Sequence, residues 1–499
     1  MRGVMLRSAA CLALLLPPLF CQEAPKAATA PPNVVVIFVD DLGYADIGPF
    51  GGEIPTPNLD RMAKQGMRFS DFSVSSPVCS ASRASLLTGC YNERIGIAGA
   101  LGPDAKIGLH DDEVTIAELC RTKGYATGCF GKWHLGHHAQ FGPLRHGFDE
   151  WFGLPYSNDM WPLHPDYAKL PPDSEQRKRG YPPLPLFDGE RVVDAEVTGE
   201  EQALLTRRYT ERAVDFIERH RDRPFFLYVP HTMVHVPLFV SPEFAGKSKQ
   251  GLFGDVVMEI DWSVGQILDA LVRCGVDERT LVLFTGDNGP WLSYGEHAGS
   301  AGVLREGKGT VFEGGMREPT IARWPGHVPA GTTCDAFAAT IDVLPTICKL
   351  IGADLPNHRI DGIDITPLLF GTSTTSPHTF YCSYYAGGQL QAVRDARWKL
   401  HFPHRYQTLE RRRGGTNGEP VVYASRQIEL SLFDLANDPG ETANVAEANP
   451  DVVARLQALA DAARADLGDT LRDIKGTGRR PAGRLVETAT RADNGDGKR

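Results

Sequence analysis

Residues 34–39 form an unbroken apolar run of β-branched and aromatic side chains, the pattern of a strand buried on both faces. Residues 125–130, 224–229 and 280–284 repeat that pattern and predict three further central strands. Between them the period changes. Ala213, Phe216, Ile217 and His220 recur at helical spacing within 209–220, and Ile260, Val264, Ile267, Leu268 and Leu271 share one face of a predicted helix over 256–273. This alternation from residue 33 to about 375 predicts an α/β domain whose sheet carries helices on both faces. The segment 161–185, dense in proline and charge, predicts a long surface loop. A Ser/Thr-rich stretch at 371–377 marks a boundary. Beyond it, strand-like segments at 379–385, 391–394 and 398–402 and a helix over 450–467 predict a smaller α+β domain spanning 376–474. The polar, glycine-bearing tail 475–499 is expected to be disordered.

Composition narrows the class. With 499 residues, 42% hydrophobic and 23% charged, the chain is neither disordered, collagen-like nor a small disulfide scaffold. Lys plus Arg total 52 against 62 Asp plus Glu, and the resulting charge of −10 argues against whole-body affinity for nucleic acid. At the start, Arg2 and Arg7 precede an apolar run over 9–20 that contains Pro17 and Pro18. It falls short of the ~20 residues that span a bilayer, so it predicts a signal peptide at 1–21 and secretion or export to a periplasm. Cys21 offers a lipid-anchoring alternative, weakened by bulky Phe20 before it. The Ala- and Pro-rich stretch 22–32 is then a linker, and no other segment is apolar enough to cross a membrane. Of ten cysteines, eight lie beyond the signal, without CxxC spacing, and read as small buried hydrophobes. Cys79 is the exception.

Ligands of α/β sheets bind beyond the carboxyl ends of the strands, and each predicted strand ends in reactive side chains. The first runs into Asp40-Asp41, the second into Gly131-Lys132-Trp133-His134, the third into His231 and His235, and the fourth into Asp287-Asn288. Any one of these is ordinary turn chemistry. Together, Asp40, Asp41, Asp287 and Asn288 supply three carboxylates and an amide carbonyl, which suit a hard divalent cation such as Ca²⁺ or Mg²⁺. Lys132, His134, His235 and Lys308 supply cationic or donor groups for an anionic substrate. Lys308 sits in the glycine-rich stretch 304–317, where backbone can approach a ligand closely. Cys79 stands where a helix is predicted to begin, with Arg83 one turn on. That placement favours an anion and predicts a thiol of lowered pKa.

Cys79-Ser-Ala-Ser-Arg83 followed by Leu87-Thr-Gly89 resembles the signature of the type I, formylglycine-dependent sulfatases, in particular the arylsulfatase A and N-acetylgalactosamine-6-sulfatase group. The resemblance extends over Asp40-Asp41-Leu-Gly-Tyr, Gly131-Lys-Trp-His-Leu-Gly136, Gly153-Leu-Pro-Tyr-Ser157, Asp287-Asn-Gly, Gly307-Lys308, Glu313-Gly-Gly-Met-Arg-Glu-Pro, Ala392-Val-Arg-Asp-Ala-Arg-Trp-Lys-Leu and Leu432-Phe-Asp-Leu-Ala-Asn-Asp-Pro. It implies a large, mixed, mostly parallel sheet of the alkaline phosphatase type, sandwiched by helices. It also implies that Cys79 is oxidised to formylglycine by a formylglycine-generating or sulfatase-maturating enzyme. The hydrate of that aldehyde would attack a sulfate ester, form a sulfated enzyme intermediate and expel inorganic sulfate by collapsing back. One Ca²⁺ per chain, in preference to Mg²⁺, would be held by Asp40, Asp41, Asp287, Asn288 and the modified residue 79. Arg83, Lys132 and His134 would orient the hydrate, and Lys308 and His235 would contact the sulfate of a small-molecule or glycan substrate. Ser157 would line the same pocket; His297, outside the resemblance, is a candidate substrate-binding rim residue with no role that the residues themselves define.

Two positions depart from the family pattern. Ala81 replaces the usual proline, and Cys90 replaces the arginine that follows Leu-Thr-Gly, which is expected to weaken recognition during maturation or remove a salt bridge near the nucleophile. Two other readings stand beside the sulfatase: a phosphatase or phosphodiesterase of the same superfamily, and an unmodified protein that binds sulfated glycans. Trp161, His164, Tyr167 and Trp291 are candidates either for a substrate rim or for loop packing.

Overall fold

The computed structural model describes residues 31–171 and 173–486. The expected signal peptide and most of the linker lie outside them. Ten strands form the main sheet: β1 (Asn33–Val39), β2 (Met67–Phe69), β3 (Ala126–Phe130), β4 (Glu150–Gly153), β5 (Leu186–Asp188), β6 (Arg191–Asp194), β7 (Phe225–His231), β8 (Thr280–Gly286), β9 (Thr320–Arg323) and β10 (Thr332–Cys334). Their spatial order is β10-β2-β9-β8-β1-β7-β3-β4-β5-β6. The centre is parallel, with β1 between β8 and β7, and antiparallel partners begin at β9 and β5. The sheet is therefore mixed and mostly parallel at its centre, as expected.

Both faces are covered, which explains why β1 shows no polar alternation. Val35, Ile37 and Val39 pack under two helices, Leu205–Arg219 and Gly251–Arg273. Val34, Val36 and Phe38 face the opposite layer, where Ala84, Leu86 and Leu87 come from the helix Cys79–Thr88. That helix, α1, is buried along its whole length and ends at Gly89, whose φ of 68° favours glycine.

A second sheet carries β11 (Tyr381–Tyr385), β12 (Gln389–Arg394), β13 (Trp398–His401) and, beyond a separate hairpin of β14 (His404–Thr408) and β15 (Ala424–Ile428), β16 (Ser431–Asp434). It packs on the helix Pro450–Leu467 through Tyr384, Leu390, Val393, Leu400, Leu456 and Ala460. Buried ion pairs join it to the main sheet: Arg394 to Asp71 at 2.6 Å and Lys399 to Glu313 at 2.8 Å.

The tail differs from expectation in its first part. Residues 475–486 are not loose: Gly483 and Arg484 pair with Gly108 and Ile107, and Arg479 and Arg480 reach the buried carboxylates of Glu93 and Glu113. Composition alone missed this because the acidic partners lie hundreds of residues upstream. The cysteines behave as small hydrophobes. All eight of those described are free thiols, and all but Cys274 are buried.

Candidate active site

The register of the sheet sets the site. Val39 pairs with Gly286 on one side and His231 on the other, so Asp40-Asp41 and Asp287-Asn288 leave the sheet at one level. The backbone N–H of Asp287 donates to the Val39 carbonyl at 3.0 Å, and that of Asp41 to Asp287 Oδ1 at 3.1 Å. Gly131 follows β3 with φ 142°, and a Cβ there would fall 1.9 Å from the Pro230 carbonyl oxygen. Only glycine lets the next residue, Lys132, bring its N–H to that same oxygen at 2.8 Å. Asp41 and His134 adopt left-handed backbone (φ 57° and 59°), an uncommon state for side-chain-bearing residues that recurs at functional loops.

The side chains interlock. Lys132 Nζ donates to Asp40 Oδ2 at 2.5 Å and to Ser157 Oγ at 3.1 Å. Arg83, fully buried on α1, reaches Asp287 Oδ2 at 2.7 Å and Asp40 Oδ2 at 3.2 Å. Lys308 Nζ grips both oxygens of Asp41 at 2.7 and 2.9 Å. His235 Nε2 lies 3.6 Å from Asp41, and Asn288 Nδ2 donates to Asp41 Oδ1 at 2.7 Å. Cys79 heads α1 and is 2% exposed. Asp40, Cys79 and Asp287 each offer a ligand atom within 4.8 Å of the others, as do Asp40, Asp41 and His235.

These groups fit a hard cation. Asp40 Oδ1 and Asn288 Oδ1 are buried without a partner, and oxygens so placed are costly unless something positive meets them. Burial and the adjacent Asp40 carboxylate push Asp287 up to about 7. Burial would raise Asp40 as well, but Lys132 and Arg83 hold it well below the usual carboxylate range. A divalent ion among Asp40, Asp41, Asp287 and Asn288 would remove the repulsion and satisfy both orphaned oxygens.

Two expectations about charge are corrected. The Cys79 thiol, expected to be acidic at its helix start, is pushed up to about 11 because burial outweighs Lys132 and Lys308. An unmodified thiol at this position stays protonated at neutral pH. His134 is no cation either: burial first, then Lys132 and Arg83, drive its pKa well below the usual value. With Nε2–H donating to the Leu101 carbonyl at 3.0 Å, its unpartnered Nδ1 is left as an acceptor.

His231 points away, hydrogen-bonded to Ser263 in the helix-side core. His297 abuts Gly418 of the hairpin rather than the ionic cluster. Trp161 is packed on Phe239, and His164 and Tyr167 meet Tyr181 edge to face. Trp291, by contrast, lies against both Lys308 and His235. Tyr385 was not foreseen. It packs on Val78, Cys79 and Ala81 from the end of β11, where no local motif marks it. Arg480 was equally invisible. Its Nη2 sits 3.3 Å from Cys90 Sγ and its guanidinium pairs with Glu113, so an ion pair persists where the sequence lacks an arginine.

The chain matches known proteins along most of its length. The sulfatase family profile covers residues 32–353, and the profile for the C-terminal region of aryl-sulfatase covers 376–481. Arylsulfatase A of Bos taurus is 41% identical over 452 residues, 87% of each chain. N-acetylgalactosamine-6-sulfatase of Canis lupus familiaris is 40% identical over 83% of this chain and 81% of its own. Among solved structures, the PsFucS1 sulfatase from Pseudoalteromonas sp. superposes with a TM-score of 0.79 at 28% identity, covering 87% of this chain and 90% of that one. A fold, a buried cysteine in a field of opposed charges and family matches over both sheets converge: this chain belongs to the sulfatase family and is a sulfuric ester hydrolase.

Proposed function

We propose that the chain hydrolyses aryl or carbohydrate sulfate esters with a formylglycine made from Cys79 as its nucleophile. The observation that carries this reading is the thiol itself. It is buried, pushed up to about 11 and flanked by acids, so it is a poor nucleophile unless converted. When formed, the aldehyde hydrate supplies a nucleophilic oxygen and a second hydroxyl through which sulfate can be expelled without a hydrolytic water. Asp40, Asp41, Asp287, Asn288 and residue 79 would hold a Ca²⁺, which would supply fixed positive charge beside the developing negative charge.

The chain's own residues do the rest. Arg83 braces Asp40 and Asp287, so both carboxylates face inward. Lys132, tied to Asp40 and Ser157, and His134, with its free Nδ1 acceptor, orient the hydroxyls at position 79. Lys308 and His235 contact the sulfate, and one of them carries a proton to the leaving oxygen. Lys308 keeps its charge despite burial, because Asp41 stabilises it. A carbohydrate substrate is supported by the related Ps i-CgsB, 29% identical, whose structure holds k-i-k-neocarrahexaose. Among the described residues no helix is long and apolar enough to cross a membrane. The signal peptide expected at 1–21 supports an exported protein, matured by a formylglycine-generating or sulfatase-maturating enzyme.

Mass spectrometry of the peptide spanning residue 79, from protein made in its native host, is expected to show the aldehyde or its hydrate. Cys79→Ala should release no sulfate from an aryl sulfate. A plain thiol in active enzyme would overturn the proposal, and a plain thiol in inactive protein would favour a sulfated-glycan-binding role.

A further inference from the structure

Trp291 is the aromatic residue that reaches both groups assigned to the sulfate. Lys308 Nζ lies 4.4 Å from the centroid of its indole, inside the range of a cation–π contact. The His235 ring stands edge-on at 5.5 Å, and Tyr294 backs the indole at 5.0 Å. The two loops are also joined through the backbone, where Lys308 N–H donates to the Pro290 carbonyl at 3.0 Å.

The loop that carries Trp291 is itself held by the second sheet's side of the molecule. Gly415 and Val421, in the β14–β15 connection, donate to the Ser293 carbonyl at 2.8 and 3.0 Å. Ser293 N–H donates to the Tyr423 hydroxyl at 2.9 Å. The contact is close: a Cβ on Gly295 would fall 2.1 Å from the Gly415 carbonyl oxygen.

A lysine stem is flexible, and Asp41 restrains its ammonium from one side only. We propose that Trp291 is a positioning residue, clamped by the hairpin, whose indole fixes the Lys308 ammonium in the orientation that meets the sulfate ester. The proposal rests on the sulfate-contact roles given above, which Lys308→Met tests by itself: full activity in that variant sinks those roles, independently of Trp291.

The discriminating pair is Trp291→Phe, which keeps a π face, and Trp291→Leu, which keeps apolar volume without one. With an aryl sulfate, Trp291→Leu should lower kcat/KM about 10-fold, and Trp291→Phe no more than about 3-fold, the span expected of a partly desolvated cation–π contact. In a Lys308→Met background, Trp291→Leu should cost no more than about 2-fold further, because its effect runs through the lysine. If turnover in that background is too slow to measure, the inhibition constant of inorganic sulfate gives the same comparison. Equal losses in the Phe and Leu variants, or full multiplication of the two effects, would overturn the proposal. Thermal melting accompanies each variant. A Trp291→Leu chain that fails to fold leaves Trp291→Phe and Trp291→Tyr, whose kcat/KM values should each stay within about 3-fold of wild type, and a loss of about 10-fold in both would overturn the proposal.

Discussion

Asp287 shows how one side chain serves opposite needs. Arg83 anchors it on one side, while burial and Asp40 push its pKa up to about 7, so the carboxylate is ionised at a cost unless further positive charge arrives. Asp287→Ala is therefore expected to remove bound calcium, read by elemental analysis, together with turnover. A chelator should lower the melting temperature of the wild type and leave the variant unmoved, since a ligand stabilises only the state that binds it. At this scale the residue types were readable and their charge states were not. Asp40-Asp41 and Asp287-Asn288 are visible as motifs, yet the neutral His134 and the reluctant thiol of Cys79 follow from burial that no short window reveals.

Between elements, a buried ionic knot joins the segment 313–317 to the second sheet. Glu313 meets Lys399 at 2.8 Å and Arg317 at 2.5 Å, and Lys399 also reaches Glu441 at 3.2 Å. Burial alone would raise the Glu313 carboxyl, but Lys399, Arg317 and Arg394 hold it well below its ordinary value. A depressed carboxylate contributes stability that is present above the unfolded pKa of about 4.3 and lost as pH falls through the folded value. Lys399→Met leaves two buried carboxylates short of a partner and should cost about 3 kcal/mol at pH 7. In urea melts the gap between variant and wild type should narrow at strongly acidic pH, where Glu313 is protonated in both. The elements themselves were legible: β1, β3, β7 and β8 follow the apolar runs within a few residues because both faces are buried. Their lateral order was not, since an apolar run names no neighbour.

For the molecule as a whole, the segment 475–486 works as a strap. Arg480 makes two bonds of 2.6 and 2.8 Å to Glu113, a side chain 1% exposed and 367 residues away in sequence. Arg94, just past α1, adds Asp361, Asp466 and the Gly478 carbonyl. Arg480→Ala should destabilise the protein by about 2 kcal/mol, because Glu113 is left buried without its partner. Guanidinium unfolding checks this, and a disordered tail would show no change. Net charge follows the same logic: −10 describes the exterior, whereas Arg83, Lys132 and Lys308 gather inside one pocket.

What the amino-acid order determined by itself was local. Periodicity set the strands and helices, and the strand-end motifs carried the chemistry of a sulfatase. Tertiary structure decided which distant groups meet: Arg480 beside Cys90, Tyr385 against Cys79, and Trp291 under Lys308. It also decided which groups keep their charge. The physical reason is common to both. Desolvation and pairing depend on what surrounds a group in space, and that surrounding is assembled from segments the chain holds far apart.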